Sequence, residues 1–160
     1  MPGKNPMLES ERPTPLIEVL SVPQSEEILA RNRVGRLAFS FRGRVNVVPV
    51  HFVYEKGWVY GRTAPGGKLL QILRNRRVAF EVDEHAALFD WRSVVVHGGV
   101  QLLNPADGPE GKARWEHAVQ AFRQIVPAAF GPGDPTPHRD VMLRVHISHI
   151  EGRTATAIED

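Results

Sequence analysis

The 160-residue chain contains no cysteine. That absence excludes disulfides, thiol nucleophiles and zinc sites built on thiolates. There is no apolar run near the roughly 20 residues that a membrane-spanning helix requires, and the start of the chain lacks a signal-peptide pattern. A cytoplasmic protein without membrane contact is therefore expected. Charge of one sign is also scarce: Lys+Arg 20 against Asp+Glu 18 leave a net charge of +2. This is too mild to argue for nucleic acid, and no basic stripe with interleaved aromatics is present. No Walker A sequence, GxGxxG, HExxH or GxSxG occurs, so P-loop, Rossmann, zinc-protease and serine-hydrolase chemistry find no support. Seven histidines do not make a metal set, because His146 and His149, three apart in a strand, are expected on opposite faces.

What is there centres on Asn46 to Lys68, NVVPVHFVYEKGWVYGRTAPGGK. Val45 to Tyr54 is rich in β-branched and aromatic residues, Glu55-Lys56-Gly57 interrupts it and Trp58 to Arg62 resumes it, which predicts a β-hairpin. Val48, Val50 and Phe52 fall on one face, and Val45, Val47, Pro49 and Val53 on the other. Pro49 lacks an N–H, so the strand is expected at an edge or a local opening, where free backbone groups can meet a flat heterocycle. The chain then turns through Thr63-Ala64-Pro65-Gly66-Gly67 into a helix whose Leu69, Ile72 and Leu73 share one face. A lysine opening that helix opposes its dipole unless an anion lies nearby. Gly66 and Gly67 leave N–H groups uncovered, Thr63 offers a hydroxyl and Arg62 and Lys68 offer charge, which together make a phosphate cradle. From spacing alone, a solvated Lys68 beside a plain glycine turn reads equally well.

Residues 1–15 hold four prolines, and residues 1–22 are expected as an extended arm before a single domain of residues 23–160. Ser25 is placed as the cap of a short helix running to about Arg33. Arg36 to Phe41 reads as a strand, Arg42-Gly43-Arg44 as a turn, and Val78 to Glu84 as a further strand. His85 to Trp91 is expected as a loop. Ser93 to Leu103 carries Gly98-Gly99, which predicts a bulge or a barrel bend. Pro109 to Val126 has Trp115, Ala118, Val119, Phe122 and Ile125 at helical spacing, for core or dimer packing. Pro127 to Pro137 is too rich in breakers for regular structure. Val141 to Ile150 closes the sheet, with Val141, Leu143, Val145 and Ile147 inward. The absence of an alternating βαβ pattern fits a mainly β, α+β fold: an antiparallel, Greek-key-like barrel with two or three attached helices.

The hairpin, with VAFEVDE and WRSVVVHGGVQLL after it, resembles the FMN-binding split β-barrel family of pyridoxamine 5′-phosphate oxidase-like proteins, over roughly Ile28 to Leu103. The resemblance implies a strand laid along the flavin ring, Asn46-Val47-Val48-Pro49-Val50-His51, and a phosphate end at Gly61-Arg62-Thr63 with Gly67-Lys68. It further implies a homodimer with the flavin at the interface, where Trp91 and Ser93 come from the second subunit, Trp91 chiefly as interface packing. The cofactor implied is FMN, or alternatively a deazaflavin; the partner is a small-molecule substrate or NAD(P)H. The sequence departs from the oxidases at Asn46, where they carry arginine, at His51, where they carry lysine, and at Ser93, where glutamine is usual. The oxidases' Arg-Leu-x-Pro-like motif is absent, so oxidation of pyridoxamine phosphate is not expected. The function implied is an FMN-dependent oxidoreductase acting on a small molecule, the alternative being a flavin or deazaflavin carrier or sensor without turnover.

Overall fold

A computed structural model of the chain describes residues 15–158, except for the side chains of residues 67–69. The expected arm before residue 15 lies outside the described residues. Three strands form the meander read from the sequence: β2 (Val34–Phe41), β3 (Arg44–Glu55) and β4 (Trp58–Thr63). Both turns between them are tight. Arg42 and Gly43 take φ of 50° and 75°, and Lys56 and Gly57 take 45° and 84°, the left-handed pair whose twist matches that of a hairpin.

The chain continues through α2 (Gly67–Arg74), β5 (Arg77–Ala87), β6 (Asp90–Leu103), α3 (Gly108–Arg123) and β7 (Val141–Ala157), after β1 (Pro15–Leu20) and α1 (Val22–Arg31) at the start. The sheet order is β1-β7-β4-β3-β2-β5-β6, and β6 also pairs with β7. Six strands thus close a ring, with β1 attached outside it along β7. Every pairing is antiparallel, which gives the split barrel expected from the sequence. Inside the ring lie Leu37, Phe39, Val50, Phe52, Phe80, Val82, Val94, Val96, Leu143 and Val145, closed off by Ile28 and Leu29 of α1 and Ile72 of α2. Because strand side chains alternate, β7 turns Leu143 and Val145 inward and Met142 outward, where it joins Tyr60, Leu103 and the Ala118, Val119 and Phe122 face of α3.

Several expectations are corrected. Residues 15–20 of the expected arm are a sheet strand, in register from Pro15↔Ala157 to Leu20↔Gly152. The cap of α1 is Ser21, not Ser25: Ser21 Oγ accepts from the Gln24 N–H at 3.2 Å while Gln24 Oε1 accepts from the Ser21 N–H at 2.9 Å, a reciprocal capping box. Ser25 is instead buried inside the first turn, donating to Ser21 O at 2.9 Å. His85 to Trp91 is not a loop, since β5 runs to Ala87 and β6 starts at Asp90. The glycine pair does mark a bulge. His97 pairs with His149 but Gly98 with Ile147, leaving Ser148 of β7 as the extra residue, its hydroxyl donating to His97 O at 2.9 Å. That insertion reverses the alternation, so His146 and His149 share the outer face instead of opposing one another. No group of three metal-ligating side chains arises from this among the described residues, and no helix among them is long and apolar enough to cross a membrane.

The two glycines at the bulge separate cleanly. A Cβ on Gly98 would stand 1.9 Å from the His146 carbonyl oxygen, whereas one on Gly99 meets nothing within 4 Å. Gly98→Ala should destabilise the protein by about 1–3 kcal/mol or more, because the obstacle is backbone, and Gly99→Ala should stay within about 0.5 kcal/mol of wild type. Urea unfolding of the two variants checks this.

Candidate functional site

β3 has 12 residues and β4 only 6. The two pair from His51↔Arg62 to Glu55↔Trp58, so from Arg44 to Val50 β3 has a partner among the described residues, β2, on one side alone. The phase of that pairing follows from one bond, Phe52 N–H to Arg33 O at 2.9 Å. Antiparallel residues alternate between bonding toward one neighbour and the other, so Val50, Val48 and Asn46 point their backbone groups at β2. Val45, Val47 and Pro49 turn theirs to the open side. Pro49 therefore lacks its N–H at a position where the ladder does not need one. Side chains on the outer face are bare, with Val45 71% and Val47 59% exposed, and Pro49 and His51 exposed beside them. On the inner face Val50 and Phe52 are buried and Asn46 and Val48 half-buried. Asn46 Nδ2 reaches Gln71 Oε1 of α2 at 3.4 Å, so α2 lies alongside the open half of β3.

At its end β4 delivers Thr63 into the turn of residues 64–66, and α2 begins. Gly66 is the N-cap in an extended conformation, with no side-chain cap and no acidic residue in the first turn. The first-turn N–H groups accordingly have no side-chain acceptor among the described residues, which is what an anion site requires. The backbone at Gly67 and Lys68 is helical; the Lys68 side chain lies outside the described residues. Gly61 has a different role. It is buried in β4, where a Cβ would come within 2.8 Å of Val50 Cγ1 and 3.0 Å of Leu143 Cδ1, so it lets β3 and β7 close over β4 at a distance from the turn.

Arg62, expected in the cradle, is turned away from it. Its guanidinium is 4% exposed and pairs with Asp134 at 2.8 Å, Asp134 being equally buried. It also donates through Nε to Arg139 O at 3.0 Å and through Nη2 to Thr136 O at 3.3 Å, and it lies 4.0 Å from the centroid of the Phe130 ring. Asp134 in turn accepts from the N–H of Phe130 at 2.7 Å and of Thr136 at 2.9 Å. Phe130 is held at φ 59°, a left-handed conformation that costs a bulky residue of order 1–2 kcal/mol unless its surroundings enforce it. The irregular segment between α3 and β7 is thereby fastened to the end of β4, opposite His51. Burial, with the charges of Arg139 and Arg62, pushes the His51 imidazole below its ordinary pKa, so it is neutral near pH 7.

Trp91 and Ser93, both half-buried, lie at the start of β6 between His85 and Ala155 and between Asp83 and Arg153 respectively. In the ring β6 stands opposite β3, with two strands between them in either direction. One chain does not bring these residues to the outer face that carries His51. The residues missed in the sequence are Asp134, Phe130 and Arg139, which sit in a breaker-rich stretch whose local pattern gives no sign of a partner 72 positions away.

The hydrogen bond from Arg62, with those from the Thr136 and Phe130 N–H groups, holds the Asp134 carboxyl well below the usual carboxylate range against the opposing effect of burial. Its stabilisation is present above the unfolded pKa of about 4 and is lost as pH falls toward the folded value. Asp134→Ala should cost about 3–5 kcal/mol at neutral pH, since it strands a buried guanidinium. In urea unfolding followed from about pH 6 to about pH 2, the gap to wild type should narrow as the acid limit is approached.

Residues 21–154 match the pyridoxamine 5′-phosphate oxidase family. Among solved structures, the chain is similar to a FAD-binding protein of Mesorhizobium loti, at 33% identity with a TM-score of 0.71, over 88% of this chain and 99% of that one. It shares its fold with the FAD-binding protein of Mycobacterium smegmatis, at 23% identity and a TM-score of 0.59, over 88% of this chain and 99% of that one. An uncharacterized protein of Rhizobium meliloti (strain 1021) is 27% identical over 92 residues, which are 58% of this chain. The matched stretch spans 61% of that relative's length. With the family matched across most of its length and the split barrel in place, the chain belongs to the pyridoxamine 5′-phosphate oxidase-like family.

Proposed function

We propose that the chain binds a flavin along the open edge of β3, with FMN the preferred form, and acts as a flavin-dependent oxidoreductase on a small molecule, with NAD(P)H as the electron source. The observation that carries this reading is the half-paired β3, whose backbone N–H and C=O groups at Val45 and Val47 and C=O at Pro49 face no strand among the described residues. A mixed row of donors and acceptors suits the polar rim of an isoalloxazine, and a Cβ at Gly66 would meet nothing within 4 Å, so the turn leaves room for a phosphate. Membership of the family and likeness to a FAD-binding protein at 33% identity support the same reading. Bound there, a flavin supplies reversible hydride and electron transfer.

The chain's own groups do the rest. Val45, Val47 and Pro49 orient the ring through their backbone, and Thr63, Gly67 and Lys68 with the first-turn amides of α2 receive the phosphate. Neutral His51 can give or take a proton at an imidazole nitrogen. Trp91 and Ser93 reach the ligand from a second copy of the chain, because their own strand is on the opposite wall. That second copy would also cover Val45 and Val47. A flavin or deazaflavin carrier or sensor is the second reading, favoured by the exposure of this edge in one chain, since flavin chemistry needs water excluded.

Titration with FMN, FAD, riboflavin and a deazaflavin tests the cofactor, and bleaching of the bound flavin by NADH or NADPH separates enzyme from carrier. Lys68→Ala should weaken FMN roughly 10- to 150-fold, the equivalent of one charge-assisted bond of about 1.5–3 kcal/mol, and leave riboflavin nearly unchanged. Equal weakening of both ligands, or of neither, would remove Lys68 from the cradle. Light scattering at micromolar concentration should give a homodimer; a monomer that still holds FMN would refute the shared site.

A further inference from the structure

We infer that Arg139 supplies the guanidinium that a flavin phosphate meets at the mouth of the barrel, and that Arg62 and Asp134 are positioning residues that hold Arg139 there. This rests on the flavin reading above and changes which residues serve it. Three observations lead to it. The first is place: Thr63 pairs with Val141, so Arg139, two residues before Val141, stands level with the turn of residues 64–66 that leads into the uncapped end of α2. The second is fixation. The Arg139 carbonyl accepts from Arg62 Nε at 3.0 Å and its N–H donates to Thr136 O at 3.0 Å, while Thr136 is itself tied to Arg62 and Asp134. Its backbone is thus anchored on both sides. The third is that its guanidinium has no hydrogen bond or ion pair among the described residues, whereas that of Arg62 is consumed by Asp134 and two carbonyls.

The depressed His51 pKa, caused first by burial and next by the Arg139 charge, agrees with this position. A guanidinium fork can hold two phosphate oxygens at once, and an arginine pinned by its own backbone loses less freedom on doing so. The buried pair therefore acts on the ligand through the loop and never touches it.

The test is a set of FMN and riboflavin titrations on wild type, Arg139→Gln, Arg139→Lys and Asp134→Asn. Arg139→Gln should lower FMN affinity tenfold or more and riboflavin affinity by less than twofold, with an unchanged circular dichroism spectrum. Arg139→Lys should recover part of the loss. Asp134→Asn, in folded samples confirmed by the same spectrum, should shrink the preference for FMN over riboflavin in the direction of Arg139→Gln. If wild type binds both ligands and the FMN preference survives in Arg139→Gln, the assignment is wrong and the flavin reading stands. If wild type binds neither, the flavin reading falls and takes the assignment with it.

Discussion

A mismatch in length between two neighbouring strands governs this molecule. β3 continues for half its length beyond the point where β4 leaves it, and a backbone without a partner must find water or a ligand. The cause is local and chemical. Pro65, two residues past the end of β4, cannot donate to a ladder, and the glycines after it let the chain swing into α2. β7 takes up the other side of β4, so the ring still closes while the inner course of β3 stays open.

The Arg62–Asp134 pair answers a different need. Both groups are 96% removed from solvent, and a buried ion pair is weak evidence for net stability, because desolvation offsets most of the attraction. What it does supply is definition: an irregular stretch rich in proline and glycine is brought to one conformation, including a phenylalanine in a left-handed backbone. The aromatic contact of Phe130 with Trp115, ring centroids 5.3 Å apart, ties the same stretch to α3. Loop, helix and strand end thus form one unit beside the open edge.

Much of this was legible in the residues. Gly57 and Gly43 announced their turns because a left-handed backbone favours glycine, and Gly98-Gly99 announced a bulge because a side chain at Gly98 cannot coexist with the His146 carbonyl. Pro49 pointed to an opening for a similarly direct reason. The failures are instructive where local chemistry was silent or ambiguous. Leu88-Phe89 is no turn dipeptide, so the hairpin between β5 and β6 passed as a loop. Proline at residue 15 suggested an arm, yet a proline can begin an edge strand, and β1 is such a strand. Arg62 read as a charge for the phosphate cradle because a sequence shows charge and not burial; only the fold brings Asp134 beneath it.

The reach of β7 has a consequence for how the chain acquires its structure. This strand, the last of the seven among the described residues, is shared by β6, β4 and β1, and its pairing with β1 joins residues 15–20 to residues 152–157. Contacts so distant in sequence carry a large loop-closure cost before they return anything. The meander of β2, β3 and β4 can form from local hairpins, but during synthesis the ring remains an open, curved sheet with apolar residues uncovered until β7 has been made. Folding should therefore be slow for a chain of this size, with closure by β7 as its final, committing event.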